Sequence, residues 1–527
     1  NTIGFNNLIT NEQLRNRFIG NMWGQFEIIE GLSYKFDASV DITDTHDRFF
    51  NPPSNLGWYY VTEPAESQLR VTDSNRTRTI LNNIITYSKQ IGESKFDILV
   101  GMLDDTIDFS NHYSAGTGYQ PGEISMLQYA DQTASTEYKS IQTAKSYISR
   151  VDYSYDDRYF FQANFRQDRT SLFAPENNTG NYYSFSGGWK FSNEKFLKMP
   201  EWVNSAKLRG SYGILGNNTL GVYAYDSTVN PFANYSFGNP GVLAPGTTTV
   251  VVTDPDIKWE DTKQTDIGLD LAFLNNKIQF TADYFIKESS DLLLNLPLPF
   301  STGSFPSSIV TNAGTIRNSG IEFTVGYSNN EHEFKYNINA NIGTLKNEVL
   351  QLGDNNEPIY GAASKTEVGR SVGEIFAYQT DGIFQSQAEI AAAPTQIGAA
   401  PGDVRFKDVD GDGQITSDDR TYQGVTMPKY TYGFAFDSSY KNWDFSFAWI
   451  GSGGNKAFNG TYRALMLGQY VNSSTDILNY WTPTNTNTDI PRPVIGDPNA
   501  NNRDSNRFVE DASYLKLQNV QIGYNIP

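Results

Sequence analysis

The chain of 527 residues has no cysteine, three histidines, 14% aromatic residues and a formal net charge of −19. A disulfide framework, a thiolate metal site and a cysteine nucleophile are therefore excluded. The acidic balance, with no basic patch, excludes a partner held by its phosphate backbone. So long a chain would ordinarily divide into several domains. Yet no Pro- or Ser-rich linker, charge-run boundary or short-period repeat interrupts it. One pattern recurs from end to end: alternating segments punctuated by Gly, Asn, Asp and Ser.

Mean hydropathy is −0.48, and no apolar run approaches the roughly 18–20 residues of a membrane helix. Barrel strands hide from such an average, because apolar residues face outward and polar ones inward at period two. No signal peptide is visible and the chain opens at Asn1 rather than Met, which reads as a processed or partial chain.

In chain order, the first clear element is Leu32-Ser33-Tyr34-Lys35-Phe36-Asp37-Ala38-Ser39-Val40-Asp41-Ile42-Thr43, with every even position apolar and every odd one polar. At about 3.3 Å per residue it spans about 40 Å, more than the usual five- or six-residue strand. It is long enough for a tilted membrane strand of about 9–11 residues. Phe96, Ile98, Val100 and Met102 then share one strand face. Tyr159, Phe161, Ala163 and Phe165 face one way, while Gln162, Asn164 and Arg166 face the other. Asn275-Asn276 separates two alternating runs, 269–273 and 278–284, as a tight hairpin does. Phe434 and Phe436, then Phe445, Phe447 and Trp449, repeat the pattern around Tyr440-Lys441-Asn442-Trp443.

Aromatic pairs and triplets close several segments: Trp58-Tyr59-Tyr60, Tyr182-Tyr183 and Tyr480-Trp481. In a membrane barrel these form girdles at headgroup depth; in a soluble sandwich they would be core. Long polar stretches, Asn217 to Asp254 and Gly451 to Asp511, alternate with short Asn/Gly turns. Outer-membrane barrels have this asymmetry, with long external loops and short periplasmic turns. A sandwich has less reason for loops beyond about 15 residues.

Asp408-Val409-Asp410-Gly411-Asp412-Gly413-Gln414-Ile415-Thr416-Ser417-Asp418-Asp419 matches a calcium loop. Asp408, Asp410 and Asp412 fall at positions 1, 3 and 5, Gly413 at 6, the Gln414 carbonyl at 7 and Asp419 at 12. Hard oxygen ligands at this spacing wrap a Ca²⁺ ion, and the Gly permits the sharp turn. Position 12 is Asp rather than Glu, one methylene shorter, as in dockerin-type loops. The alternative is a metal-free Asp/Gly turn. The expected cofactor is Ca²⁺, stiffening an external insertion over 403–424. Catalysis is not expected: His46, His112 and His332 sit in polar, turn-like contexts, with no Gly-x-Ser-x-Gly elbow or His-Glu-x-x-His helix. The loop aromatics Tyr223, Tyr225, Phe232, Tyr235 and Phe237 suit stacking on sugars or peptides, packing the loop, or contacting a partner equally well, and so name no substrate site.

An ordered series of motifs carries a family resemblance. It begins with Arg150-Val151-Asp152-Tyr153-Ser154-Tyr155-Asp156-Asp157-Arg158-Tyr159 and Phe165-Arg166-Gln167-Asp168. Gly188-Trp189-Lys190-Phe191-Ser192-Asn193-Glu194 and Lys207-Leu208-Arg209-Gly210-Ser211-Tyr212-Gly213-Ile214-Leu215-Gly216-Asn217 follow. Next come Trp259-Glu260-Asp261-Thr262-Lys263-Gln264, Gly268-Leu269-Asp270, Asn312-Ala313-Gly314 and Asn318-Ser319-Gly320-Ile321-Glu322. Asp381-Gly382-Ile383-Phe384, Pro401-Gly402-Asp403, Trp481-Thr482-Pro483, Pro491-Arg492 and Ala512-Ser513-Tyr514-Leu515-Lys516-Leu517 complete it. Over residues 140–527 the chain resembles the SusC/RagA family of TonB-linked outer-membrane proteins of Bacteroidetes; residues 1–140 fit by strand pattern alone.

The resemblance implies an all-β fold: an antiparallel, 22-stranded transmembrane β-barrel around an N-terminal plug, energised through TonB, in the Gram-negative outer membrane. It implies uptake of oligosaccharides or peptides with a SusD-like surface lipoprotein as lid, with two such pairs side by side. The chain is expected to be a partial barrel over 1–527, with the plug and TonB box absent and the closing strands missing after Pro527. An open set of strands in lipid leaves unpaired edges, so the strands alone would be incomplete. Two other readings are a SusC-like barrel acting as an assembly scaffold, and a soluble β-rich glycan-binding protein or adhesin.

Overall fold

The computed structural model describes residues 4, 6–57, 61–227, 229–230, 233–249, 251–304, 307–467 and 472–527. Trp58-Tyr59-Tyr60 and Phe232 lie outside the described residues. The chain forms two compact units, Asn1–Gly187 with Gly213–Asp261 and Leu293–Asn312, and Gly188–Tyr212 with Thr262–Leu292 and Ala313–Pro527.

In the first unit the strands β1 (Thr10–Ile29), β2 (Leu32–Asn51), β3 (Gln68–Ile91), β4 (Ser94–Thr117), β5 (Gln132–Tyr155) and β6 (Tyr159–Thr170) pair antiparallel in chain order. The strand β7 (Thr179–Trp189) follows. β3, β4 and β5 are 24 residues each, about 79 Å at 3.3 Å per residue. A bilayer needs less than half of that. The alternation of β2 ends at Thr43, but the strand continues to Asn51. From Asp44 to Arg48 both faces are polar, so the alternation stops while cross-strand bonds such as Asn75 to Asp44 and His46 to Asp73 sustain the ladder, and Phe49-Phe50 then puts an aromatic ring on each face.

Register places the apolar residues in rows. Tyr34 lies opposite Ile85 and Ile85 opposite Val100; Ile98 lies opposite Val151. Ile85, Val100, Tyr147, Phe161 and Phe165 are exposed, Val100 by 53% and Phe161 by 48%. So much open apolar surface suits a lipid-facing wall, not a protein core. The opposite face holds ion pairs: Arg17–Asp41 at 2.6 Å, Arg78–Asp105 at 2.5 Å, Arg150–Asp152 at 2.9 Å and Arg166–Asp168 at 2.7 Å.

Two further strands are β8 (Val203–Asn217) and β9 (Glu260–Phe273). The second unit holds β10 (Ile278–Ser290), β11 (Gly314–Asn329), β12 (Phe334–Thr344), β13 (Lys346–Leu352), β14 (Tyr430–Tyr440), β15 (Trp443–Gly453) and β16 (Tyr514–Tyr524). β10, β11, β12, β14, β15 and β16 pair antiparallel in that order, and β13 lies against the first part of β11. The expected hairpin at Asn275-Asn276 is present between β9 and β10. Leu274, Asn275 and Asn276 all take positive φ there, at 53°, 60° and 61°, a conformation asparagine tolerates well. Phe434 faces Trp449 and Phe436 faces Phe447, while Tyr440 and Trp443 close a two-residue turn.

The long polar stretches differ from bare loops. Within 353–429 and 454–513, four short strands, Ile359–Tyr360, Ser364–Thr366, Glu374–Tyr378 and Arg420–Gly424, make a small antiparallel sheet. Ile375, Phe384, Val404, Phe406, Trp481 and Phe508 are buried in this region. Trp481 is thus a core residue whose indole N–H donates to Gln385 at 2.8 Å, and Tyr480-Trp481 is not a girdle. Tyr182 is also buried, while Tyr183 beside it is exposed. Strand alternation puts the two on opposite faces, so Tyr183 alone can serve a girdle.

Candidate functional site

The Asp-rich loop leaves the strand Val404–Phe406 and rejoins the sheet through a turn at Ser417–Asp419. Its first three aspartates each accept from backbone N–H groups ahead of them. Asp408 takes Gly411 at 2.6 Å and Gly413 at 2.9 Å, Asp410 takes Asp412 at 3.1 Å, and Asp412 takes Gln414 at 2.8 Å. These short-range bonds curl the chain, helped by Gly413 at φ 83°. As a result, carboxylate oxygens of Asp408, Asp410 and Asp412 lie within 4.8 Å of one another.

Crowding acts on the carboxyl of Asp410. The Asp412 N–H pulls its carboxyl down, but partial desolvation and the carboxylates of Asp412, Asp419 and Asp408 outweigh that bond and leave the pKa raised. A cation among these groups would relieve the repulsion.

Asp419 has a different position from the three gathered residues. It is fully buried, with one oxygen accepting from Val409 N–H at 2.7 Å and the other from Thr416 N–H at 2.7 Å. Its carboxylate therefore pins the two ends of the loop, while each oxygen keeps a second lone pair. Thr395 anchors the middle: its N–H donates to the Gly413 carbonyl at 2.8 Å and its carbonyl accepts from Ile415 N–H at 3.0 Å. Gln414 lies between these two bonds, its carbonyl being the expected ligand. The donor set is oxygen only, which suits a hard cation such as Ca²⁺.

Several separated motifs meet in pairs. Asn217 donates to Glu260, and Glu260 accepts from Leu293 N–H at 2.7 Å. The Asn312 side chain bonds both Lys258 N–H, at 2.8 Å, and the Lys258 carbonyl, at 2.9 Å. In the second unit Arg492 forks onto Asp403 at 2.9 and 3.0 Å, and its N–H donates to the Gly402 carbonyl at 2.9 Å. Asn501 adds a bond to Asp403 at 3.0 Å. Gly402 has φ 92°, and a side chain there would run into Trp481. Pro401-Gly402-Asp403, Trp481 and Pro491-Arg492 are therefore one packed joint, which no local sequence signal links.

His46 Nδ1 lies 2.6 Å from Asp73 Oδ1, and His112 Nε2 lies 3.1 Å from the Ser114 hydroxyl. His46, Asp73, His112 and Glu137 are successive cross-strand partners in one row, which is a pattern of sheet pairing. Among the loop aromatics, Tyr235 and Phe237 are exposed with ring centroids 4.9 Å apart, on a hairpin formed with Val242–Ala244.

Comparison with known proteins defines the class. Residues 4–527 match the family of TonB dependent receptor-like β-barrels. The chain is 30% identical to the TonB-dependent receptor P3 of Formosa agariphila, over 98% of this chain and 52% of that protein. It is 28% identical to the TonB-dependent receptor SusC of Bacteroides thetaiotaomicron, over 84% of this chain and 44% of that protein. A solved chain of the RagAB peptide transporter superposes with a TM-score of 0.83 at 22% identity, covering 99% of this chain and 57% of that one. The chain spans about half the length of the curated relatives it matches. It belongs to the TonB-dependent receptor β-barrel family, resembles SusC and RagA within it, and is an outer-membrane protein.

Proposed function

We propose that the protein containing this chain imports nutrients across the outer membrane: a TonB-energised transporter of oligosaccharides or peptides, working with a SusD-like surface lipoprotein. The observation that carries this reading is the division of faces along β2 to β6. Exposed aromatic and aliphatic residues form the lipid-facing side, and ion-paired polar residues form the other. Polar lining is what a route for hydrophilic solutes needs. The likeness to SusC and to the RagAB transporter supports the same reading.

The test is uptake of labelled oligosaccharides and peptides by cells carrying the whole protein, with and without TonB. Uptake that needs both supports the importer. Unchanged uptake on deleting this protein, together with loss of an outer-membrane complex, would favour the scaffold reading instead. Co-purification of a surface lipoprotein tests the partner.

Within this importer, the loop 408–419 takes one Ca²⁺ through Asp408, Asp410, Asp412, the Gln414 carbonyl and Asp419, in a structural role. The convergence of three carboxylates supports it.

A further inference from the structure

The strand β5 is flanked unequally. Its pairing with β4 runs the full strand, from Gln132 opposite Thr117 to Tyr155 opposite Ser94. Its pairing with β6 covers only Ala144 to Tyr155. One further pair of bonds extends it: Thr143 N–H donates to the Ser171 hydroxyl, and the Thr143 carbonyl accepts from Ser171 N–H, both at 2.9 Å. Beyond that point β4 and β5 continue together for eleven more residues of β5, counting 132 to 142.

Peptide groups along a strand point alternately to its two neighbours. Thr143 faces β6, so the N–H and C=O groups of Thr133, Ser135, Glu137, Lys139 and Ile141 face the same side. There they meet no hydrogen-bond partner among the described residues. Thr133 to Lys139 is exposed throughout, and Ile141 is exposed as well. The result is an open edge of about 26 Å, with one donor and one acceptor about every 6.6 Å. An extended polypeptide repeats its own groups at that interval, which is the basis of recognition by strand addition. Edge strands are commonly guarded by charge, and Glu137 pairs with Lys139 at 3.1 Å. Those two side chains stand off one face of the sheet rather than across its edge.

The place and direction of this edge select its occupant. Tyr147 is the exposed ring nearest the loop end on the lipid-facing side of β5, and beyond it Lys145 pairs with Asp104 at 3.5 Å. Ile141 lies about 20 Å farther along the strand, counting 147 to 141, so the open edge begins just outside the lipid. β5 descends toward the short turn at 156–158. A chain climbing out of the membrane therefore meets it antiparallel, the more stable pairing. A second copy in the same membrane has its own β5 descending, so those two edges could meet only parallel. A lipoprotein is held in lipid by its acylated N-terminus, and its first residues climb in the required direction.

We propose that the membrane-proximal segment of a surface lipoprotein adds to the edge Thr133–Ile141 as an antiparallel strand. The inference rests on the lipoprotein partner of the importer reading and names the surface that holds it.

The test uses outer membranes carrying the whole protein, with the co-purifying lipoprotein present or deleted. With it present, the amides of Ser135, Glu137 and Lys139 should exchange at least about tenfold more slowly than without it. Those of Thr136, Tyr138 and Ser140, which face β4, should be protected in both and report an intact strand pair. Glu137→Pro deletes one edge N–H and leaves the bonds to β4 in place. It should cut the slowing about fivefold, the effect of one hydrogen bond, whereas Glu137→Gln should leave it unchanged. The chain has no cysteine, so Lys139→Cys can carry a benzophenone, which should cross-link within roughly 20 residues of the lipoprotein's acylated end. Free exchange at the odd positions with the lipoprotein present, or indifference to Glu137→Pro, would overturn the docking edge. So would cross-links only to the lipoprotein's folded body, to a second copy or to cargo peptide. If the lipoprotein co-purifies while the edge exchanges freely, the partner reading stands and this inference alone falls. If no lipoprotein co-purifies, the partner reading falls and takes the inference with it.

Discussion

At the residue scale, the positions that matter are those where one side chain holds several backbone groups. Asp419 serves two N–H groups at once, and Asp403 is gripped by Arg492 and Asn501. In the Asp-rich loop, Asp412 is the informative position, because it converges with Asp408 and Asp410 while its own backbone bond is a single one to Gln414. Asp412→Ala should abolish calcium-dependent protection of 408–419 from proteolysis and leave the buried Asp419 pin in place. Calcium affinity should fall about 10–100-fold, within the range by which ligand charge count tunes such loops. Cleavage that is the same with calcium and with chelator in the unaltered protein would remove the metal from the account.

At the element scale, strands here outlast their hydrophobic pattern. β2 runs eight residues beyond the twelve that alternate, counting Leu32–Asn51 against Leu32–Thr43. Pairing with β3 keeps it extended where side chains no longer report a buried face. Short loop strands depend even more on polar ties. Lys456–Phe458 pairs with Val509–Asp511. Asp511 accepts from the Ser513 hydroxyl and N–H and lies 3.1 Å from Lys456, bonds that together lower its carboxyl from 3.8 to about 2. A carboxyl that is more acidic when folded stabilises the fold above its unfolded pKa and loses that contribution as pH falls through the folded value. Protection of the Ser513 amide, corrected for intrinsic exchange, should thus be level from pH 7 to about pH 4 and fade between about 4 and 2. Asp511→Asn should flatten that fall. A loss already complete near pH 6 would show that another group controls this strand pair.

At the scale of the whole molecule, the two strand faces must meet different surroundings. Phe161 is exposed on the apolar face of β6, and Gln162 points to the opposite one. Phe161→Arg should lower the folding free energy into lipid vesicles by about 2–4 kcal/mol if Phe161 lies at mid-bilayer, and less toward either interface. Gln162→Arg should change it little, because that face stays polar. Equal effects of the two substitutions would mean that the exposed band does not face lipid, and the outer-membrane orientation assigned to β6 would fail.

What was legible in the sequence follows from which interactions are local. Period-two alternation fixes strand faces, so Phe96 to Met102, Tyr159 to Phe165 and the Phe434–Trp449 rows lie as expected. Turn chemistry marks hairpins, since Asn275 and Asn276 tolerate the positive φ that the turn between β9 and β10 requires. The gathering of Asp408, Asp410 and Asp412 was legible for the same reason, because their spacing lies within one stretch of chain.

Tertiary structure decided the rest. Trp481 is core rather than girdle because Gly402 and Gln385, about 80–100 residues away, supply its contacts. Asp419 became a backbone pin because Val409 and Thr416 both reach it. The Tyr182 and Trp259 rings, 77 residues apart counting 182 to 259, meet at 5.8 Å. The sequence by itself determined the strand faces, the tight turns and the family. Only the fold could decide which distant motifs touch and which strand edges stay unpaired, because burial and partnership depend on long-range packing that neither periodicity nor spacing encodes.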